Sequence, residues 1–168
     1  MKATDWLKRD HELILEGLDA LSAVARRVRA RQAVDEENIG KLLTFFREFA
    51  DEYHHHKEEK ALFPALEAAG LPPHGPVAVM LHEHDLGRRL LKQMRDSLPE
   101  LDTDAARDYV ALLQAHIQKE NEILFRMADR LLSSADDLSI TEVFAETESA
   151  MKAIVQPDAY RALFKSIA

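Results

Sequence analysis

Apolar residues recur three and four positions apart through four long stretches of this chain, and no sustained apolar/polar alternation replaces that spacing anywhere. A strand needs a period of two and an amphipathic helix a period near 3.6, so the pattern commits the chain to helices. Only five glycines among 168 residues interrupt the stretches, and most of the six prolines fall between them.

The spacing predicts a first helix from Thr4, as N-cap, to about Arg31, with Leu7, His11, Ile14, Leu18, Leu21, Ala25 and Val28 on one face. A second starts at Asp35, carries Glu36 and Glu37 in its first turn and stops at Gly70 before Pro72 and Pro73. Its stripe is Leu43, Phe46, Ala50, His54, Glu58, Leu62 and Ala65, and Pro64 is expected to kink it. The third runs from Pro76 to about Ser97 with Val77, Met80, His84, Gly87, Leu91 and Met94 inward. The fourth runs from near Thr103 to near Leu132 with Tyr109, Leu112, His116, Glu120, Ile123, Met127 and Leu131 inward. Ser139 with Glu142 reads as a capping box opening a shorter helix to about Ile154, and Pro157 introduces a last helical piece. The fold class expected is therefore all-α. An antiparallel up-down-up-down four-helix bundle spans residues 1–132, and a helical extension over 133–168 either packs on it or forms an oligomer surface, such as that of a homodimer.

The formal charge of -8 and the lack of a basic patch argue against a nucleic-acid partner, whose phosphates need clustered Lys and Arg. Without cysteine, any metal must be held by imidazole, carboxylate or phenolate. The opening residues lack the apolar core of a signal peptide, and no apolar run is long enough to span a membrane, so a soluble cytoplasmic chain is expected.

The inward stripes carry an unusual content. Histidine stands on all four, and the second and fourth add a glutamate one turn later, as His54 with Glu58 and His116 with Glu120. Residues four apart lie about 6 Å along the axis on one face, so each pair can converge on one point. A buried carboxylate needs a counter-charge, and Lys57, Lys60, Arg88, Arg89 and Lys119 are all expected to fall off the inward faces. A metal ion is the natural counter-charge. A lone core histidine is usually a satisfied structural residue, and an isolated His-x-x-x-Glu is usually a surface pair. Four inward histidines with two inward glutamates fit neither description. Mixed imidazole and carboxylate ligation suits iron, manganese or zinc, and two carboxylates able to bridge favour a pair of ions.

The stretches "DHELILEGLDAL", "HHHKEEKALFPAL", "GPVAVMLHEHDLGR" and "HIQKENEILF" resemble, in order and spacing, the hemerythrin-like (HHE) family, antiparallel four-helix bundles with a non-haem di-iron centre. The resemblance implies His11, His54, Glu58, His84, His116 and Glu120 as metal ligands, and two iron ions, oxo- or hydroxo-bridged, as the cofactor, with a single Fe, Mn or Zn as the alternative. Two departures stand out. Met80 occupies the position where oxygen carriers have a second helix-3 histidine, and Asn121 the position where they place an aspartate. Some relatives take the missing ligand from the residue beside the helix-2 histidine, which nominates His55. Tyr53 is the alternative, as a phenolate or as a wall residue. His82, His56, Lys57 and Glu59 are expected to point outward and His74 to lie in a loop.

The implied activity is binding of, or reaction with, O2, peroxide or NO, behind a wall of Phe46, Phe49, Leu62, Met80, Leu112 and Ile123. Turnover as a peroxide- or NO-reactive oxidoreductase stays open. The alternative is a module that senses or stores iron without turnover. A ferritin-like reading needs Glu-x-x-His on two helices, and among inward positions only Glu52 to His55 comes close.

Overall fold

The computed structural model describes residues 1–167 and, among them, is helical without a strand. Helix α1 spans Ala3–Arg29. Helix α2 covers residues 36–68 as Glu36–Phe45, the π-helical segments Phe46–His55 and Glu58–Leu62, and a final α-helical piece, Phe63–Ala68. Helix α3 is Pro76–Ser97. Helix α4 covers residues 103–131 as Thr103–Lys119, π-helical Glu120–Leu124 and Phe125–Leu131. Helices α5 (Ser134–Ala150) and α6 (Pro157–Ile167) follow.

The helix ends are set by local chemistry. Asp35 accepts from the Glu37 N–H at 2.9 Å and opens α2. At its far end Gly70, at φ 106, lets Leu71 N–H reach the Leu66 carbonyl and Gly70 N–H the Glu67 carbonyl, both at 3.0 Å, which is a Schellman closure. Pro64 falls in the first turn of Phe63–Ala68, where the π-helical segment hands over to α-helix. Two expected starts move. Lys2, not Thr4, precedes α1, and the buried Thr4 hydroxyl instead donates to Asp129 of α4 at 2.8 Å, a tertiary bond outcompeting a local cap. Helix α5 starts at Ser134 rather than Ser139, because Ser133 and Asp136 offer the same capping pattern six residues earlier: Asp136 N–H donates to Ser133 Oγ at 3.1 Å and Ser133 N–H to Asp136 Oδ2 at 3.0 Å. The helix ends at Ala150, short of the expected Ile154.

Buried apolar residues form two clusters. One gathers Ile14, Leu18, Leu21, Phe45, Phe46, Phe49, Leu91, Met94 and Leu113, and the other Leu7, Leu62, Phe63, Val77, Met80, Leu124 and Phe125. On each of α1 to α4 the inward histidine lies in sequence between residues of one cluster and residues of the other. A polar layer is thus enclosed by apolar side chains on both sides. The last two helices complete the clusters: Phe164 and Ile167 of α6 join the first, Ile140 and Phe144 of α5 the second. Gly17 is required where Phe45 crosses α1, since a Cβ there would lie 2.6 Å from Phe45 Cε2.

The π-helical segments decide which side chains reach that layer. An i→i+5 turn is wider than an α-turn and shifts the inward face along the chain. In α2 three consecutive residues, Tyr53, His54 and His55, are all buried, and Lys57 and Glu58 with them. In α4 the face moves past Glu120 onto Leu124 and Phe125, so Ile123, expected in the wall, is 55% exposed and Leu131 is exposed too. The regular helix α3 has no such shift, and its six expected residues, Val77, Met80, His84, Gly87, Leu91 and Met94, are all buried.

Candidate metal centre

Seven side chains converge in the polar layer. His11, His54, Glu58 and Glu120 form one group whose potential ligand atoms lie within 4.8 Å of one another; Glu58, His84, His116 and Glu120 form a second, and His55, His84 and His116 a third. Glu58 and Glu120 belong to both carboxylate-containing groups, so they stand between two potential ion positions. His55 is 5% exposed and the other six are 1% exposed or less.

Each histidine is braced from outside through Nδ1. His11 Nδ1–H donates to Asn121 Oδ1 at 2.7 Å and His54 Nδ1–H to Asp10 Oδ2 at 3.0 Å. His55 Nδ1–H donates to Asp51 Oδ1 at 3.2 Å, His84 to Glu59 Oε2 at 3.1 Å and His116 to Glu83 Oε1 at 3.1 Å. An ionised carboxylate or an amide oxygen only accepts, so these bonds place a proton on Nδ1 and turn Nε2 inward as the nitrogen available to an ion. The braces are themselves held. Lys57 Nζ donates to Asp10 Oδ2 at 2.6 Å, Arg88 bridges Asp51, at 2.9 Å, and Glu59, and Lys119 binds Glu83.

Inside the layer the histidine nitrogens and the two carboxylates face one another without hydrogen-bonding geometry, the one exception among the ring nitrogens being the His84–His116 pair. His54 Nε2 lies 3.1 Å from Glu58 Oε1, His84 Nε2 3.1 Å from Glu58 Oε2, and His116 Nε2 2.9 Å from Glu120 Oε1. His11 Nε2 is 3.4 Å from Glu120 Oε1 and 3.9 Å from Glu58 Oε1. His11 Nε2, His54 Nε2 and all four oxygens of Glu58 and Glu120 are buried without a partner. So many orphaned acceptors at one point are costly unless a cation takes them. His84 Nε2 and His116 Nε2 stand 3.2 Å apart. Two ligands at right angles on an ion, each about 2.1 Å from it, would be separated by about 3 Å. The residues present fit a metal.

The same demand is visible in the basicities. Burial opposes the charged imidazole of His11, yet the Glu120 and Glu58 carboxylates beside it outweigh burial and raise it to about 9. His116 rises against burial to about 10, chiefly through Glu120. Burial also opposes ionisation of Glu58, and the neighbouring histidines, His54 first, hold it well below the usual carboxylate range. Protons here supply the positive charge that a metal ion would bring. His55 behaves in the opposite way, lowered to about 3 by burial and by the adjacent His84, whose ring stacks on it at 3.8 Å.

The structure places each sequence-derived candidate. His11, His54, His55, Glu58, His84, His116 and Glu120 all reach the layer. Tyr53 is buried, but its ring stacks toward Phe49 and under Lys57, and the charged groups that act on its phenol are Asp10, Glu148 and Arg9. This is a wall position. His56, His82 and His74 are exposed. Two outward assignments are corrected. Lys57 is 1% exposed, its ammonium 4.0 Å above the Tyr53 ring and 5.2 Å from the Phe144 ring, because α5 covers that side of α2. Glu59 is half-buried and accepts from His84. The bracing roles of Asp10, Asp51, Glu59, Glu83 and Asn121 escaped sequence reading, which noted Asn121 only as standing where oxygen carriers place an aspartate. Asp51 alone carried a local signal, four residues before His55 on one helix. Phe125, stacked on His11 at 5.4 Å, and Phe63, stacked on His84 at 5.9 Å, also line the centre.

The fold and site together define a helical bundle built around a buried cation-binding layer. The hemerythrin HHE cation binding domain matches residues 2–128, and the chain belongs to that family. No curated protein and no solved structure gives a significant match.

Proposed function

We propose that this chain is a non-haem di-iron protein of the hemerythrin type that binds or reacts with O2, peroxide or NO. The observation that carries the reading is the sharing of Glu58 and Glu120 by two overlapping ligand groups, with both oxygens of each carboxylate orphaned. Two bridging carboxylates and five imidazoles suit a pair of iron ions better than a single ion. Iron ions held there would supply redox chemistry toward such a small molecule. The chain's own residues bind and orient the ions through Nε2 and the carboxylates, and Phe63, Phe125, Leu62 and Met80 exclude water on one side. The scaffold we propose is an antiparallel up-down-up-down bundle over residues 1–132, carrying 133–168 as an extension. The order of the two apolar clusters along the chain supports it, since that order reverses from each of α1 to α4 to the next.

A second reading, iron sensing or storage without turnover, draws on the enclosure of the layer: six of the seven side chains are 1% exposed or less, so metal content would govern the stability of the bundle. Metal analysis with a visible spectrum on untagged protein is the test. About two irons per chain with a ferric charge-transfer spectrum are expected under either reading, given two bridging carboxylates. Peroxide consumption by that form separates them. Iron absent after iron-replete expression, or a single zinc, overturns the di-iron reading.

A further inference from the structure

The two potential ion positions are built unequally. One offers His84 and His116 with the shared glutamates, and the same two histidines also group with His55; the other offers only His11 and His54 with those glutamates. The braces differ as well. All three imidazoles of the richer position donate from Nδ1 to carboxylates, Asp51, Glu59 and Glu83. In the poorer position only His54 donates to a carboxylate, Asp10, and His11 donates to Asn121, a neutral amide. A carboxylate behind an imidazole makes it a stronger donor to metal, and an amide fixes its orientation with less gain in basicity.

We propose that the centre loads in order, the His55/His84/His116 position first and the His11/His54 position second and more weakly, and that Asn121 is the positioning residue governing the second step. This rests on the two-ion reading above. Asn121 therefore has a task of its own in this chain. It lies outside the ligand groups, and its side-chain oxygen holds the His11 ring so that Nε2 faces Glu58 and Glu120.

The test is an anaerobic titration of the metal-free chain with Co(II) against a competing chelator, followed by visible d–d bands and by native mass spectrometry. Two steps are expected, the first at least roughly tenfold tighter, with a one-ion species dominating at one equivalent. Asn121→Leu should weaken only the second step, by roughly 10- to 100-fold, the range for loss of a hydrogen-bonding partner behind a ligand. Asn121→Asp, which keeps the acceptor, should restore or tighten it. Glu83→Gln, at the brace of His116, should weaken the first step. Two ions entering with indistinguishable affinity, or equal weakening of both steps by Asn121→Leu, would overturn the loading order while leaving the two-ion reading intact. Saturation at one ion would remove that reading and the order with it.

Discussion

The two sides of the polar layer hold imidazoles by opposite electrostatic means. Around His55, His84 and His116 the bracing carboxylates are tied to Arg88 and Lys119, whose side chains are 37% and 39% exposed. Around His11 and His54 the only bracing carboxylate is tied to Lys57, 1% exposed and sealed between the Tyr53 and Phe144 rings. The exposed cations are screened by water and salt, and each is worth little individually. The sealed one has no solvent to fall back on, so it depends on its pairing with Asp10 and on the faces of the two rings. One side is supported by surface charge, the other by burial.

The comparison breaks most completely at the residues common to both sides. Glu58→Gln should abolish retention of both ions after dialysis. It should at the same time lower the melting temperature of the metal-free chain, since the buried histidines that hold Glu58 ionised lose their counter-charge. A variant that keeps two ions, measured by plasma mass spectrometry, would refute the bridging role. Next in size is Lys57→Met, which leaves Asp10 buried beside His54 without its cation. Urea denaturation should show a loss of roughly 3 kcal/mol or more. Arg88→Gln on the other side should cost about 1 kcal/mol or less, and less still at high salt.

Acidity sharpens the contrast between metal-free and metal-loaded forms. His11, raised to about 9, and His116, raised to about 10, stabilise the metal-free fold when protonated. Because these values lie above the unfolded value, that stability is fully present below about pH 6.5 and is lost as pH rises through the folded values. Metal must displace the same protons, so Co(II) affinity should rise over the window in which metal-free stability falls. Denaturation and chelator competition at matched pH values measure both, and parallel trends would contradict the assignment. The smallest effect concerns register. His54→Ala should weaken the second loading step and His55→Ala the first, whereas His56→Ala, at an exposed position, should leave both unchanged.

How much of this was legible in the sequence follows the regularity of each helix. In α3 a plain 3.6-residue period held throughout, and every expected inward residue is inward. In α2 and α4 the His-x-x-x-Glu pairs were legible because residues four apart share a face under either helical geometry. Ile123 and Leu131 were misplaced because the π-helical turn at Glu120–Leu124 rotates everything after it. Lys57 was misjudged for another reason: no pattern within α2 reports that Phe144, 87 positions later, would cover it. The braces Asp10, Glu59, Glu83 and Asn121 are charged or polar residues on helices rich in both, and only the packing of one helix on another selects them.

Phe144 has a consequence for how this bundle can be moved between proteins. The family's match ends at residue 128, yet the ring that seals the Lys57 ammonium belongs to α5, beyond that limit. A graft trimmed at the family boundary would carry every side chain of the seven and still arrive with the Lys57 ammonium, and the Asp10 carboxylate it pairs with, less shielded from water. Portability of such a centre is set by its insulation as much as by its ligands.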